Sequence, residues 1–101
     1  MKKRLKRKIE KRRRAEVHRV LDLVLDINGL DRRQEKLTGN LPTAFFDFSG
    51  HTAFLYVRVC ENGWREKSRP DYASDITIDQ KHLLQAINDL EVMKRVLLNR
   101  D

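Results

Sequence analysis

Cysteine is almost missing from this chain. Cys60 stands alone among 101 residues, so no internal disulfide can form. A lone thiol without a secretory leader points to a reducing compartment, and a cytoplasmic location is expected. The first residues resemble the basic start of a leader. The apolar run that should follow is broken by Asp22 and Asp26, and no small-residue cleavage site follows it. Long hydrophobic runs are lacking too. No stretch approaches the roughly 18 apolar residues of a membrane span, so no membrane partner is expected. Metal-ligand spacings are likewise absent: His18, His51, His82 and Cys60 form no C-x-x-C or H-x-x-x-H pair. There is no Gly-rich phosphate loop and no G-x-S-x-G elbow. A Mg²⁺ nuclease would need converging carboxylates, whereas Asp47, Glu61, Glu66, Asp71, Asp75 and Asp79 are scattered and suit turns, caps and solvent faces. The expectation is a protein that is not an enzyme, with no cofactor and no metal.

Negative charge is scarce at one end only. In MKKRLKRKIEKRRR, Lys2, Lys3, Arg4, Lys6, Arg7, Lys8, Lys11, Arg12, Arg13 and Arg14 face a single carboxylate, Glu10, for a net charge of +9. The whole chain carries +7, so residues 15–101 sum to −2. This is a near-neutral body with a cationic arm. Residues 1–14 read as the arm, either disordered or an extension of the first helix, and residues 15–101 as one domain. Such a split suggests a polyanionic partner, with DNA, RNA or a nucleoprotein complex as the commonest inside cells. The ten cations are candidate phosphate contacts, which supply affinity and little sequence readout. A solvated tail that only keeps a small domain soluble is the plainer alternative. Like charges repel at neighbouring helical positions and a helix N-terminus disfavours cations, so fraying is expected until a polyanion neutralises the arm.

The body follows two periods. Val17, Val20, Leu21, Val24 and Ile27 recur at helical spacing, widened by Leu23 and Leu25, and Asn28-Gly29 is a suitable stop. Residues 30–43 read as a loop that starts as a short helical extension. Residues 44–69 hold alternating β-branched and aromatic runs punctuated by Gly50-His51 and Asn62-Gly63, the pattern of a three-stranded antiparallel meander. With two-residue turns, Phe48 would face Ala53, Phe46 Leu55, Phe45 Tyr56, Cys60 Arg65 and Arg58 Lys67. One face then carries Phe46, Phe48, Ala53, Leu55, Val57 and Val59, the core side. The third strand is the weak point, because Glu66 and Ser68 would share that side. Thr77 with Gln80 has capping-box spacing, and Leu83, Ala86, Ile87, Leu90, Met93 and Leu97 line a helix over about 78–99, interrupted by Lys94. The expected fold class is α+β: N-terminal helix, three-stranded antiparallel meander and C-terminal helix, αβββα, in two layers.

The other sheet face would carry Phe45, Phe54, Tyr56, Arg58, Arg65 and Lys67, with Arg69 at its end. Aromatics beside cations on an exposed sheet can stack and neutralise single-stranded nucleic acid. The alternative is that this face is covered by the N-terminal helix or by a second copy in a homodimer.

The order αβββα matches the double-stranded RNA-binding domain. That family's Lys-Lys-x-Ala-Lys cluster should open the last helix, where this chain reads DITIDQKHLLQA with only Lys81 and His82, so the assignment is not made. LDLVLDINGL followed by LPTAFFDFSGHTAFLYVRVCENGW, within residues 20–64, resembles small uncharacterised proteins of phages and mobile elements of Gram-positive bacteria. The resemblance implies a phage or prophage accessory protein, of a kind that binds nucleic acid or disables host machinery such as CRISPR nucleases. It carries no functional residues over. An inhibitor of that kind would, being basic, engage guide RNA or target DNA within the complex.

Overall fold

The computed structural model describes residues 2–32, 41–65, 67 and 69–99. Glu35, Gly39-Asn40, Glu66 and Ser68 lie outside them. Helix α1 runs unbroken over Lys2–Asn28. Its apolar stripe buries Val20, Leu23, Val24 and Ile27, with Val17 packed beside them. Asn28-Gly29 ends it as expected. Gly29 takes a left-handed φ of 78° and donates its N–H to the Leu25 carbonyl at 2.7 Å. Asn28 then ties the helix end to the sheet, its Oδ1 accepting from the Ala44 N–H at 3.0 Å.

Strands β1 (Thr43–Ser49), β2 (Phe54–Cys60) and β3 (Tyr72–Thr77) form one antiparallel sheet in the order β1-β2-β3. Helix α2 (Gln80–Leu98) completes the chain. The fold is the expected αβββα arrangement, with both helices on the Leu55–Val57–Val59 face. α1 packs toward β1 and α2 toward β3. The helices run in the same direction, since Arg19 meets Glu91 and Asp26 meets Lys94 across them. The core joins Val20, Leu23, Val24 and Ile27 to Leu55, Val57, Val59 and Ile76, and to Leu83, Ala86, Leu90 and Leu97. Lys94, which interrupts the α2 stripe, reaches Asp26 at 2.9 Å.

Three local expectations are corrected. The β1–β2 connection is four residues, Gly50–Ala53, rather than two. Phe48 pairs with Leu55, Phe46 with Val57 and Phe45 with Arg58. The shift is an even number of residues, so each β1 and β2 side chain keeps its expected face. Ala53 leaves the strand and takes a left-handed φ of 53°. Next, the third strand is Tyr72–Thr77 and not the stretch after Asn62-Gly63. Pairing Trp64–Arg69 with β2 would turn Glu66 and Ser68 to the core, whereas Tyr72–Thr77 turns Tyr72, Ser74 and Ile76 there, with no charged residue among them and Ile76 buried. Asp71 closes the longer connection: its N–H donates to the Val59 carbonyl at 2.9 Å and its Oδ2 accepts from the Glu61 N–H at 2.7 Å. Finally, Thr77 is the last residue of β3, and Asp79 caps α2 instead, accepting from the His82 N–H at 2.9 Å.

Candidate nucleic-acid interface

The buried stripe of α1 begins at Val20, but the helix begins at Lys2. Every side chain over residues 2–15 is exposed. At about 1.5 Å per residue this is some 20 Å of helix, which meets the body only where Glu10, Arg13 and Arg14 approach Phe46, Phe48 and Ile78, and the molecule measures 53 × 30 × 21 Å. All ten candidate cations lie on this overhang. Leu5 and Ile9 continue the stripe outward, 61% and 44% exposed, with Lys2, Lys6, Glu10 and Arg13 beside them. Lys3, Arg4, Arg7, Lys8 and Lys11 line a second surface around the helix.

Internal neutralisation of this charge is slight. Among the described residues, the overhang's one ion pair joins Arg14 to Glu10 at 3.7 Å, both well exposed. An exposed pair of that kind is worth little, typically below about 1 kcal/mol. Four carboxylates of the body, Asp26, Asp79, Asp89 and Glu91, are engaged elsewhere. Asp26 holds Lys94, and Glu91 holds Arg19 at 2.8 Å, a hydrogen bond that raises the Arg19 pKa further. Asp89 accepts from Gln85 and Tyr72. Asp79 bonds the His82 backbone and ring, which together hold its carboxyl below the usual value; Arg13 adds a smaller electrostatic contribution.

On the far side of the sheet, Phe45, Phe54, Tyr56 and Arg58 share one face as expected. Neither α1 nor α2 packs there, because both lie on the opposite face. The register brings Arg58 opposite Phe45. Its guanidinium sits 4.5 Å from the Phe45 ring centroid and 5.5 Å from that of Tyr56. Arg58 Nε is buried without a hydrogen-bond partner among the described residues. Two of the three candidate stacking rings are thus already in contact with a cation, and Phe54 is the exposed one, at 43%. Arg65 and Lys67 do not lie on a third strand beside them. Both are exposed in the β2–β3 connection, where Lys67 has a left-handed φ of 67°. Arg69 is exposed in the same connection.

Two features escaped the sequence. A groove of about 430 Å³ opens where the overhang leaves the body. Val17, Leu21, Phe46, Phe48 and Ile78 form its apolar wall, with Arg13, Arg14 and His18 at the rim. Phe46 and Phe48 carried a core signal, but β1 is an edge strand and α1 covers it only in part. The second is on α2, where Leu84, Val92 and Val96 lie exposed on one ridge spaced by multiples of four.

The remaining candidates stay apart. His18 and His51 are exposed, and His82 contacts Asp79. Cys60 is buried, and burial pushes its thiol pKa up, the opposite of a reactive thiolate. No group of three or more His, Cys, Asp or Glu side chains converges as a metal site among the described residues. No helix among them is long and apolar enough to cross a membrane. Among known proteins, no family model, no curated protein and no solved structure matches the chain.

Proposed function

We propose that this is a non-enzymatic nucleic-acid-binding accessory protein, working in the cytoplasm and using the overhanging half of α1 to take phosphates. The observation that carries the reading is the exposed cationic overhang: ten Lys and Arg side chains are exposed, only Arg13 and Arg14 of them beside the body, and one exposed carboxylate pairs with one of them. Phosphates supply the missing counter-charge, and release of condensed counterions drives association. Lys and Arg at such density give affinity with little sequence preference. If about six of the ten meet phosphates, log affinity falls against log salt with a slope near −5 on duplex DNA. Titrating labelled DNA and RNA at several salt concentrations measures that slope. No binding at low salt, or unchanged binding after removal of residues 1–14, overturns the proposal.

A second reading rests on the sheet face turned away from the helices, exposed at its Phe54 end and buried at its Thr43–Cys60 end. Phe54 and the Arg58–Phe45–Tyr56 cluster combine aromatic rings with Arg, the residue types enriched where protein partners meet. In that reading the chain is a phage inhibitor of a host nucleoprotein enzyme, such as a CRISPR nuclease. Replacing Tyr56 and Arg58 by Ala then weakens capture of one host protein from nuclease-treated lysate. Arm-driven nucleic-acid binding stays intact. The exposed ridge of α2 supports a third, a homodimer, which light scattering at high concentration decides.

A further inference from the structure

We propose that the polyanion taken by α1 is B-form duplex DNA, entered through the major groove, so that DNA is told from RNA by groove shape rather than by base sequence. This rests on the phosphate-binding reading above and adds to it the form of the nucleic acid.

Shape comes first. The overhang is a continuous extension of a helix anchored in the core, with no break between Lys2 and Asn28. With side chains it is a rod about 10–12 Å across. The B-DNA major groove, about 12 Å wide, admits such a rod, while the A-form major groove is too deep and narrow. Phe46, Phe48 and Ile78 of the body come beside the helix at Glu10, Arg13 and Arg14, so residues 2–9, about two turns, can enter a groove before the body arrives.

The distribution of charge points the same way. At about 3.6 residues per turn, Leu5 and Ile9 fall on one line of the helix. Lys2, Lys6 and Arg13 flank that line on one side, Arg4, Lys8 and Arg12 on the other, and Lys3, Arg7, Lys11 and Arg14 lie behind. A helix lying on a flat anionic surface needs cations on one side only, and a membrane-seated helix needs a broad apolar face, where this one has two bulky apolar residues. Cations on both flanks of a narrow apolar line match a groove, with phosphates on both walls and base edges at its floor. Leu5 and Ile9 then face the floor, where thymine methyl groups offer apolar contact. No Asn or Gln lies on the overhang to read adenine, consistent with weak base preference.

The test uses the full chain and fluorescence anisotropy against duplex DNA, duplex RNA, single-stranded DNA and heparin of comparable length at one salt concentration. Duplex DNA is expected to bind at least about tenfold more tightly than duplex RNA. A major-groove ligand such as methyl green should displace the protein, and a minor-groove ligand should not. Against Ile9→Ala, which removes the same side chain but keeps the rod, the decisive variant is Ile9→Pro, which keeps every cation but breaks the rod and sits well before the first half-buried residue. It should lose the preference for duplex DNA while still binding heparin, with its thermal unfolding unchanged. Equal affinity for the two duplexes, or an Ile9→Pro protein that binds duplex DNA as the parent does, overturns the proposal and leaves phosphate binding standing. Failure to bind any of the four polyanions removes the phosphate-binding reading itself.

Discussion

Two residues hold backbone or charge in a state that the rest of the molecule imposes. Ala53 ends the four-residue β1–β2 loop in a left-handed conformation that an L-residue with a Cβ adopts at a cost. Glycine has no such cost, so Ala53→Gly should stabilise the fold, by about 0.5–1 kcal/mol after the larger chain entropy of the unfolded glycine is subtracted. Urea unfolding reads this directly, and destabilisation would mean that the loop is not strained. Asp79 caps α2, and its contacts with the His82 backbone and ring depress its pKa. A depressed carboxyl contributes stability above its ordinary pKa of about 3.9, and that contribution is lost as the pH falls through the lower folded value. Asp79→Asn keeps an oxygen at the cap but cannot titrate. Its melting temperature should therefore fall less than that of the parent between about pH 5 and about pH 2. Parallel curves for the two proteins would mean that Asp79 plays no part in acid unfolding.

At the scale of elements, α1 is two helices in one. From Val20 to Ile27 it is held by the core; from Lys2 to Ala15 it has no burial to support it. Like charges stand at i and i+4 in Lys2/Lys6, Lys3/Arg7, Arg4/Lys8, Arg7/Lys11 and Lys8/Arg12, each unfavourable by a few tenths of a kcal/mol. Glu10 offers favourable i, i+4 spacing to Lys6 and Arg14, and forms an ion pair with Arg14. Screening should therefore strengthen the overhang. The far-UV helical signal should rise as salt goes from about 10 mM to about 500 mM, and rise further when duplex DNA is added. A signal independent of both would mean that the repulsion does not limit this half of the helix. The fraying expected from these charges is opposed by continuity with an anchored helix, because extending an existing helix avoids the cost of nucleation.

The whole molecule divides its tasks by position. Stability resides in the two-layer body, and the charge imbalance resides in the overhang. Removing residues 1–14 should shift the net charge from +7 to −2. It should change unfolding free energy by less than about 0.5 kcal/mol, as expected for exposed positions. Elution from ion exchangers reports the first and urea unfolding the second. A large loss of stability would show that the overhang braces the body, and would weaken its reading as a limb for an outside partner.

Much of this architecture was written in the residue pattern. Helical spacing marks α1 and α2, and alternation assigns Leu55, Val57 and Val59 to one face and Phe45, Tyr56 and Arg58 to the other. The concentration of cations before residue 15 is visible by inspection. Period-two alternation carries parity and nothing finer, so a register two residues away satisfies it equally well. Tertiary contacts chose the pairing of Phe45 with Arg58, which places a guanidinium over the ring. They also chose Tyr72–Thr77 as the third strand, because Ile76 fills the core and a longer connection costs little closure entropy. The sequence alone determined the kinds of element, their order and the separation of charge, since those follow from local spacing. Only the folded molecule decided which strand pairs where, which aromatics are covered and how far the cationic helix stands from its body, since each depends on residues distant in the chain.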